Sequence, residues 1–244
     1  LTPEQQENLL AQIEGIDWSL LDVLKTHETV NARGTFAPLS AMELSQIDAN
    51  RAHLEEVGLQ AIREGKVAAV LLAGGQGTRL GFDKPKGMYN IGVTRELYIF
   101  ECLINNVMEI VKKAGAWIPF YIMTSDKNYD DTTAFLKEKN YFGYNAKYIH
   151  FFKQEMAPSV DYNGKLLMEA PDRLSLSPNG NGGWFSSLCR YGYDKQMKEA
   201  GVEWLTAFAV DNVLQRINDP AFVGAVIDSG CDCGGMVVRK ADPN

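Results

Sequence analysis

The residues with the most chemical potential lie in Val67-Ala-Ala-Val-Leu-Leu-Ala-Gly-Gly-Gln-Gly-Thr-Arg-Leu-Gly81 and in Pro85-Lys86-Gly87 just beyond it. An apolar run enters a turn in which Gly74, Gly75 and Gly77 carry no Cβ. Such a backbone can take positive φ, and its N–H groups can approach phosphate oxygens closely. Arg79 adds a planar fork of donors and Lys86 a point charge, and both suit a triphosphate whose departing pyrophosphate gathers negative charge. Pro85 fixes φ immediately ahead of Lys86, so the ammonium is presented from a stiff turn. Nucleotide binding, and nucleotidyl transfer in particular, is the chemistry these residue types predict.

Other readings of the same glycines exist. Gly75-x-Gly77-x-x-x-Gly81 approaches a dinucleotide fingerprint, but that motif needs an acidic residue at the end of the next strand, about 20 residues on. The next convincing strand, Pro119 to Ser125, comes much later. A Walker loop needs Gly-x-x-x-x-Gly-Lys-Ser/Thr, a string this chain lacks. An ordinary strand-to-helix turn with incidental glycines is the plain alternative, although turning a chain does not require two cations beside it.

The elements that must hold these residues follow from periodicity. Val67 to Ala73 reads as a strand buried on both faces of a parallel sheet. From Lys66 onward strands and helices alternate: helix Leu97 to Ala114, strand Pro119 to Ser125, and helix Tyr129 to Asn140 led by Asp126. Strand Tyr148 to Lys153, a helix including Lys195 to Ala200, strand Trp204 to Val210 and helix Pro220 to Ser229 complete the series. This order predicts an α/β fold with a mostly parallel sheet covered by helices. Ligands of such sheets lie at the carboxyl ends of the strands, where Ala73-Gly74, Thr124-Ser125, Gln154 and Asp211 fall.

Residues 1 to about 64 read as an amino-terminal helical region packed as an appendage on a core of residues 65 to 244. Thr2-Pro3-Glu4-Gln5 is a helix start, with Thr2 as N-cap and Gln5 placed for a capping box. Trp18 to Leu24 suggests a second short helix, residues 31 to 40 a loop, and Ala49 to Glu64 a helix ending near Gly65.

Composition narrows the function classes. With 244 residues, 45% hydrophobic, one or two domains with a proper core are expected. The net charge of -7 argues against a nucleic-acid groove and leaves any anion to a local cluster of cations and amides. No apolar stretch reaches membrane-span length and the amino terminus is acidic and amphipathic, so no membrane association and a cytoplasmic location are expected. Cys102, Cys189, Cys231 and Cys233 show no secreted framework spacing, and Cys231-Asp-Cys233 lacks a second Cys/His pair for zinc.

Six separated strings, Leu72-Ala-Gly-Gly-Gln-Gly-Thr-Arg-Leu-Gly81, Pro85-Lys-Gly-Met-Tyr89, Phe120-Tyr-Ile-Met-Thr-Ser125, Phe151-Phe-Lys-Gln-Glu-Met-Ala-Pro158, Asn179-Gly-Asn-Gly-Gly183 and Val210-Asp-Asn212, occur in one order. In that order they resemble the UDP-N-acetylhexosamine pyrophosphorylases of the UDP-sugar pyrophosphorylase family, over roughly residues 65 to 244. The glucose branch tends to carry Gly-His-Gly where this chain has Gly180-Asn181-Gly182.

The resemblance implies a Rossmann-like, GT-A-like nucleotidyltransferase fold. It implies a reaction in which UTP and an N-acetylhexosamine 1-phosphate give the UDP-sugar and pyrophosphate, with Mg²⁺ as cofactor. Leu72, Ala73, Gly74, Gly75, Gly77, Thr78, Gln154 and Gly182 would bind the nucleotide and Asn181 the sugar. Arg79 and Lys86 would be catalytic, and Asp211 would hold the metal. Read alone, Asp211 is equally an N-cap or Asx-turn residue, and Gln154 an ordinary polar residue after a strand.

Two departures from the family's pattern bear on this. Leu97 stands where the family carries a lysine, which bears on sugar choice. The family also continues past Asn244 into a sugar-binding segment and a further catalytic lysine, so the chain reads as an amino-terminal half. A glucose-specific or broad UDP-sugar pyrophosphorylase, and a UTP- or UDP-sugar-binding module without turnover, are the alternatives.

Overall fold

The computed structural model describes residues 1–16, 18, 35 and 41–238. The second short helix and most of the loop expected before residue 41 lie outside them. In chain order the helices and strands are α1 (Pro3–Glu14), α2 (Leu44–Arg63), β1 (Val67–Leu72), α3 (Ile99–Ala114) and β2 (Phe120–Thr124). There follow α4 (Tyr129–Glu138), β3 (Ile149–Lys153), β4 (Met156–Pro158), β5 (Met168–Ala170), β6 (Arg173–Leu174) and β7 (Leu176–Pro178). The last are α5 (Trp184–Arg190), α6 (Tyr193–Glu199), β8 (Trp204–Ala209) and α7 (Pro220–Asp228). They fall into two compact units, one of residues 41–153 and 186–244, the other of residues 1–40 and 154–185.

The larger unit is α/β. Its sheet runs β3-β2-β1-β8, with all three pairings parallel. β1 is central because it is apolar at every position, and Val67 to Leu71 are all at most 1% exposed. The chain winds outward from β1 through β2 to β3 and then returns to the other side of β1 as β8. That reversal puts a topological switch point between the carboxyl ends of β1 and β8, where open α/β sheets bind their ligands.

The helices of this unit follow their sequence signals. α3 ends on Gly115 at φ 71° and buries Phe100, Leu103, Ile104 and Val107. α2 and α7 approach backbone to backbone: a Cβ at Gly58 would lie 2.0 Å from the Pro220 carbonyl oxygen, and one at Gly224 1.8 Å from that of Leu54. The helix expected before the sheet thus packs on α7 within the sheet's own unit. α4 is preceded by Asn128 rather than led by Asp126, and the Asn128 side chain turns away from its own helix.

The smaller unit holds what periodicity left unread. β4 pairs antiparallel with β7 and β5 with β6, as two short ribbons. α1 starts on the expected capping box, with the Thr2 amide donating to Gln5 Oε1 (2.9 Å) and the Gln5 amide to Thr2 Oγ1 (3.3 Å). It docks on the β5–β6 turn through Gln12, whose Nε2 donates to the Asp172 carbonyl (2.9 Å) and whose Oε1 accepts from the Leu174 amide (2.9 Å).

Candidate functional site

The glycine loop leaves β1 at Ala73 and closes on itself as a small hairpin. Gly77 N–H donates to the Lys84 carbonyl (2.9 Å) and Lys86 N–H to that of Gly75 (3.2 Å), so Gln76 and Pro85 face each other. The loop therefore brings Lys86, eleven positions later, back beside Gly75, with Nζ 3.9 Å from where a Gly75 Cβ would stand.

Gly74, Gly75 and Gly77 do not use the positive φ open to them; within the loop Gly81 takes it, at φ 67°. The reason for Gly77 is space instead. Its φ is -78°, and a Cβ there would meet both Phe82 Cδ1 and the Phe82 carbonyl oxygen at 2.8 Å. Gly77 N–H is spent inside the loop, whereas the amides of Gly74, Gly75, Gln76, Thr78 and Arg79, nearest the end of β1, have no acceptor among the described residues. Unspent donors at a strand's carboxyl end suit an anion. Thr78 and Arg79 sit exposed on a single 3₁₀ turn, and Arg79 makes no ion pair among the described residues.

Lys86 is seated from below. Gly87 is buried against Phe100 of α3, and a Cβ at Gly87 would lie 2.3–2.4 Å from three atoms of that ring. The Lys86 ammonium, mostly covered, forms an ion pair with the carboxylate of Asp211. Asp211 stands two positions past the end of β8, just across the switch point from the loop. The sheet order thus brings together a glycine loop, a lysine and an aspartate that are scattered over 138 positions of sequence.

Asp211 is exposed and is a single carboxylate. Among the described residues no three His, Cys, Asp or Glu side chains gather to hold a metal. That donor set fits Mg²⁺, which takes one or two carboxylates and draws its remaining oxygens from substrate phosphates and water. It does not suit zinc.

Two asparagines hold these pieces, and sequence reading passed over both. Asn106 of α3 donates through Nδ2 to the Val213 (3.1 Å) and Gln215 (3.2 Å) carbonyls, tethering the segment that carries Asp211. Asn128, fully buried, donates through Nδ2 to the Ala73 carbonyl (3.0 Å) and accepts through Oδ1 from the Ser125 amide (2.7 Å).

The smaller unit gathers a second set. β4 and β7 pair from Pro158↔Leu176 to Met156↔Pro178, and one step further the Asn179 amide donates to the Glu155 carbonyl (3.0 Å). The ribbon thereby brings Gln154 and the Gly180–Gly183 loop to the same end. Gly180 is left-handed at φ 75°, and Asn181 to Gly183 form an exposed-to-half-buried 3₁₀ turn. Gln154 is 7% exposed, and its amide has no hydrogen-bond partner among the described residues. A covered carboxamide with its donor and acceptor both unspent is equipped to read a planar polar edge.

A hollow of the larger unit lies at the other end of the sheet. It is about 400 Å³, lined by His53, Glu56, Glu64, Lys66, Glu203 and Trp204 among others. Three carboxylates there make it a poor seat for a phosphate.

A family profile described as UTP–glucose-1-phosphate uridylyltransferase matches residues 11–244. The chain is 34% identical to the mouse UDP-N-acetylhexosamine pyrophosphorylase-like protein 1, covering all of this chain and 52% of that protein. It is 40% identical to the Saccharomyces cerevisiae UDP-N-acetylglucosamine pyrophosphorylase, over 76% of this chain and 40% of the yeast protein. Among solved structures, the Trypanosoma brucei uridine diphosphate N-acetylglucosamine pyrophosphorylase, in complex with inhibitor, superposes with a TM-score of 0.79. Its identity is 28%, over 94% of this chain and 50% of that one. The Leishmania major UDP-glucose pyrophosphorylase, 17% identical with a TM-score of 0.58, shares the fold. The chain spans about half the length of the relatives it matches. With the profile match running through the glycine loop, Lys86 and Asp211 alike, this chain belongs to the UTP–glucose-1-phosphate uridylyltransferase family.

Proposed function

We propose that this protein is a uridylyltransferase that forms UDP-N-acetylglucosamine and pyrophosphate from UTP and N-acetylglucosamine 1-phosphate. The observation that carries the reading is the Lys86–Asp211 pair beside the glycine loop, at the sheet's switch point, in a chain whose relatives bear that activity in their names. A sugar-phosphate oxygen would attack the α-phosphorus of UTP while the bond to pyrophosphate breaks. The attacking group is already an anion at neutral pH, so alignment and charge neutralisation suffice and no proton need be moved.

In this reading the amides of Gly74 and Gly75, with Arg79 and Lys86, take up the charge of the departing pyrophosphate. Leu72, Ala73, Gly77 and Thr78 shape that seat. Asp211 is the residue that would hold Mg²⁺, which supplies further charge neutralisation on the phosphates when bound. Gln154 and Gly182 would recognise the uracil and Asn181 the sugar's hydroxyl or acetamido group. Among the described residues no helix is long and apolar enough to cross a membrane. The four cysteines are unpaired thiols, which suits a reducing, cytoplasmic setting.

The family profile's own description names glucose, whereas the relatives' names specify N-acetylglucosamine or N-acetylhexosamine. Pyrophosphate release from UTP, compared across N-acetylglucosamine, N-acetylgalactosamine and glucose 1-phosphates, tests the proposal. The expected order puts N-acetylglucosamine 1-phosphate first. Preference for glucose 1-phosphate would overturn the assignment of the sugar.

A further inference from the structure

We infer that Asn128 is a positioning residue of the nucleotide site, a wedge that ends the β1–β2 ladder so that the glycine loop can open towards its ligand. The inference rests on the nucleotide reading of that loop. It starts from the register of β1 on β2. Leu72 stands opposite Met123, and the Ala73 amide still donates to the Met123 carbonyl (2.9 Å) as a parallel ladder requires. The next rung of such a ladder would run from the Ser125 amide to the Ala73 carbonyl.

That rung is missing, and the Asn128 carboxamide occupies its place. Its Oδ1 takes the Ser125 amide at 2.7 Å and its Nδ2 serves the Ala73 carbonyl at 3.0 Å. One direct backbone bond is thus replaced by two bonds through a side chain, and the strands part immediately before Gly74. Without the wedge, Ala73 and Ser125 are free to pair, and Gly74 would be drawn onto β2.

A role confined to stability accounts poorly for this arrangement. Asn128 precedes α4 yet makes no side-chain cap to it. The same knot leaves the buried Ser125 Oγ with no partner, a cost to stability that an apolar residue packing here would avoid. Asn128 is itself wholly buried, so it touches the ligand only through Ala73 and the glycines that follow.

The test is calorimetric titration of the 244-residue chain with Mg-UTP, comparing wild type with Asn128→Ala and Asn128→Asp, alongside urea unfolding. Asn128→Ala lets the missing rung close. Asn128→Asp keeps the acceptor for Ser125 but loses the donor to Ala73. Both are expected to weaken Mg-UTP binding about tenfold or more, and Asn128→Ala to do so with an unfolding midpoint near that of wild type. A folded Asn128→Ala that binds Mg-UTP as wild type does would overturn the inference.

Should both variants fail to fold, wild-type protein labelled with ¹⁵N-asparagine decides. The Asn128 Nδ2 protons should shift on addition of Mg-UTP, and unmoved resonances under saturating nucleotide would refute the wedge. Failure of wild type to bind Mg-UTP at all would instead remove the nucleotide reading, and this inference with it.

Discussion

The Lys86 ammonium is paired with the Asp211 carboxylate although the two residues are 125 positions apart in sequence. Neither belongs to a strand or an α-helix, and each follows a strand on one side of the switch point. Asp211 is 63% exposed at its side chain and Lys86 19%, so solvent screens the pair and its net worth to folding is about 0–1 kcal/mol. In the proposed function its value lies in catalysis instead. Lys86→Ala should leave the urea midpoint almost unchanged while lowering uridylyl transfer by about 10²-fold or more, since a preformed charge beside the developing pyrophosphate is lost. Parallel unfolding and pyrophosphate-release assays check both halves of that statement.

Asn106 predicts a subtler loss. Its two hydrogen bonds hold the Val213 and Gln215 carbonyls and so fix the segment after Asp211. Asn106→Ala should reduce kcat by about tenfold, with the KM for UTP little changed, because the triphosphate seat is on the other strand. A higher Mg²⁺ concentration for half-maximal rate would accompany it. Steady-state kinetics over a range of Mg²⁺ checks this.

Gly224 separates packing from chemistry. Its added Cβ would collide with the Leu54 carbonyl oxygen at 1.8 Å, so Gly224→Ala must push α7 from α2. A loss of about 1–3 kcal/mol is expected from such overpacking, with nucleotide affinity in the folded fraction unaltered. Denaturant titration and binding measured on the same preparation would show it.

The core sets a limit at high pH. Tyr121 of β2 is 2% exposed and stacks on His150 (ring centroids 4.7 Å apart), and burial pushes its phenol up from 10.0 to about 12. A raised folded-state value means that folding favours the protonated phenol. Its stabilisation is complete below pH 10 and is lost as pH rises towards about 12. Tyr121→Phe should therefore flatten the fall in stability over that interval, as measured by urea midpoints at stepped pH.

Much of this was legible in the sequence because strong signals acted locally. β1 is apolar throughout, Thr2-Pro3-Gln5 caps α1, and Gly65, Gly115 and Gly201 close helices in the left-handed region. The motif residues at strand ends followed from the α/β order. Positive φ is open to Gly74, Gly75 and Gly77, yet the loop uses Gly77 to admit Phe82, a tertiary demand that no local pattern encodes. The ribbons β4–β7 and β5–β6 escaped because strands of two or three residues carry too little alternation to register. Asn106 and Asn128 escaped for a related reason: the carbonyls they hold, those of Val213, Gln215 and Ala73, lie far along the chain and are brought near by packing rather than by spacing.

The most direct measurement is calorimetric titration of this chain with Mg-UTP and, in parallel, Mg-ATP, for wild type and Gly77→Val. A Val side chain at Gly77 meets the ring and the carbonyl oxygen of Phe82, its Cβ 2.8 Å from each, and must displace the loop. Wild type should prefer UTP clearly, and a folded Gly77→Val should lose that preference. Equal binding of the two nucleotides, or binding of UTP that survives Gly77→Val undiminished, would contradict the assignment of the glycine loop as the seat of a uridine nucleotide.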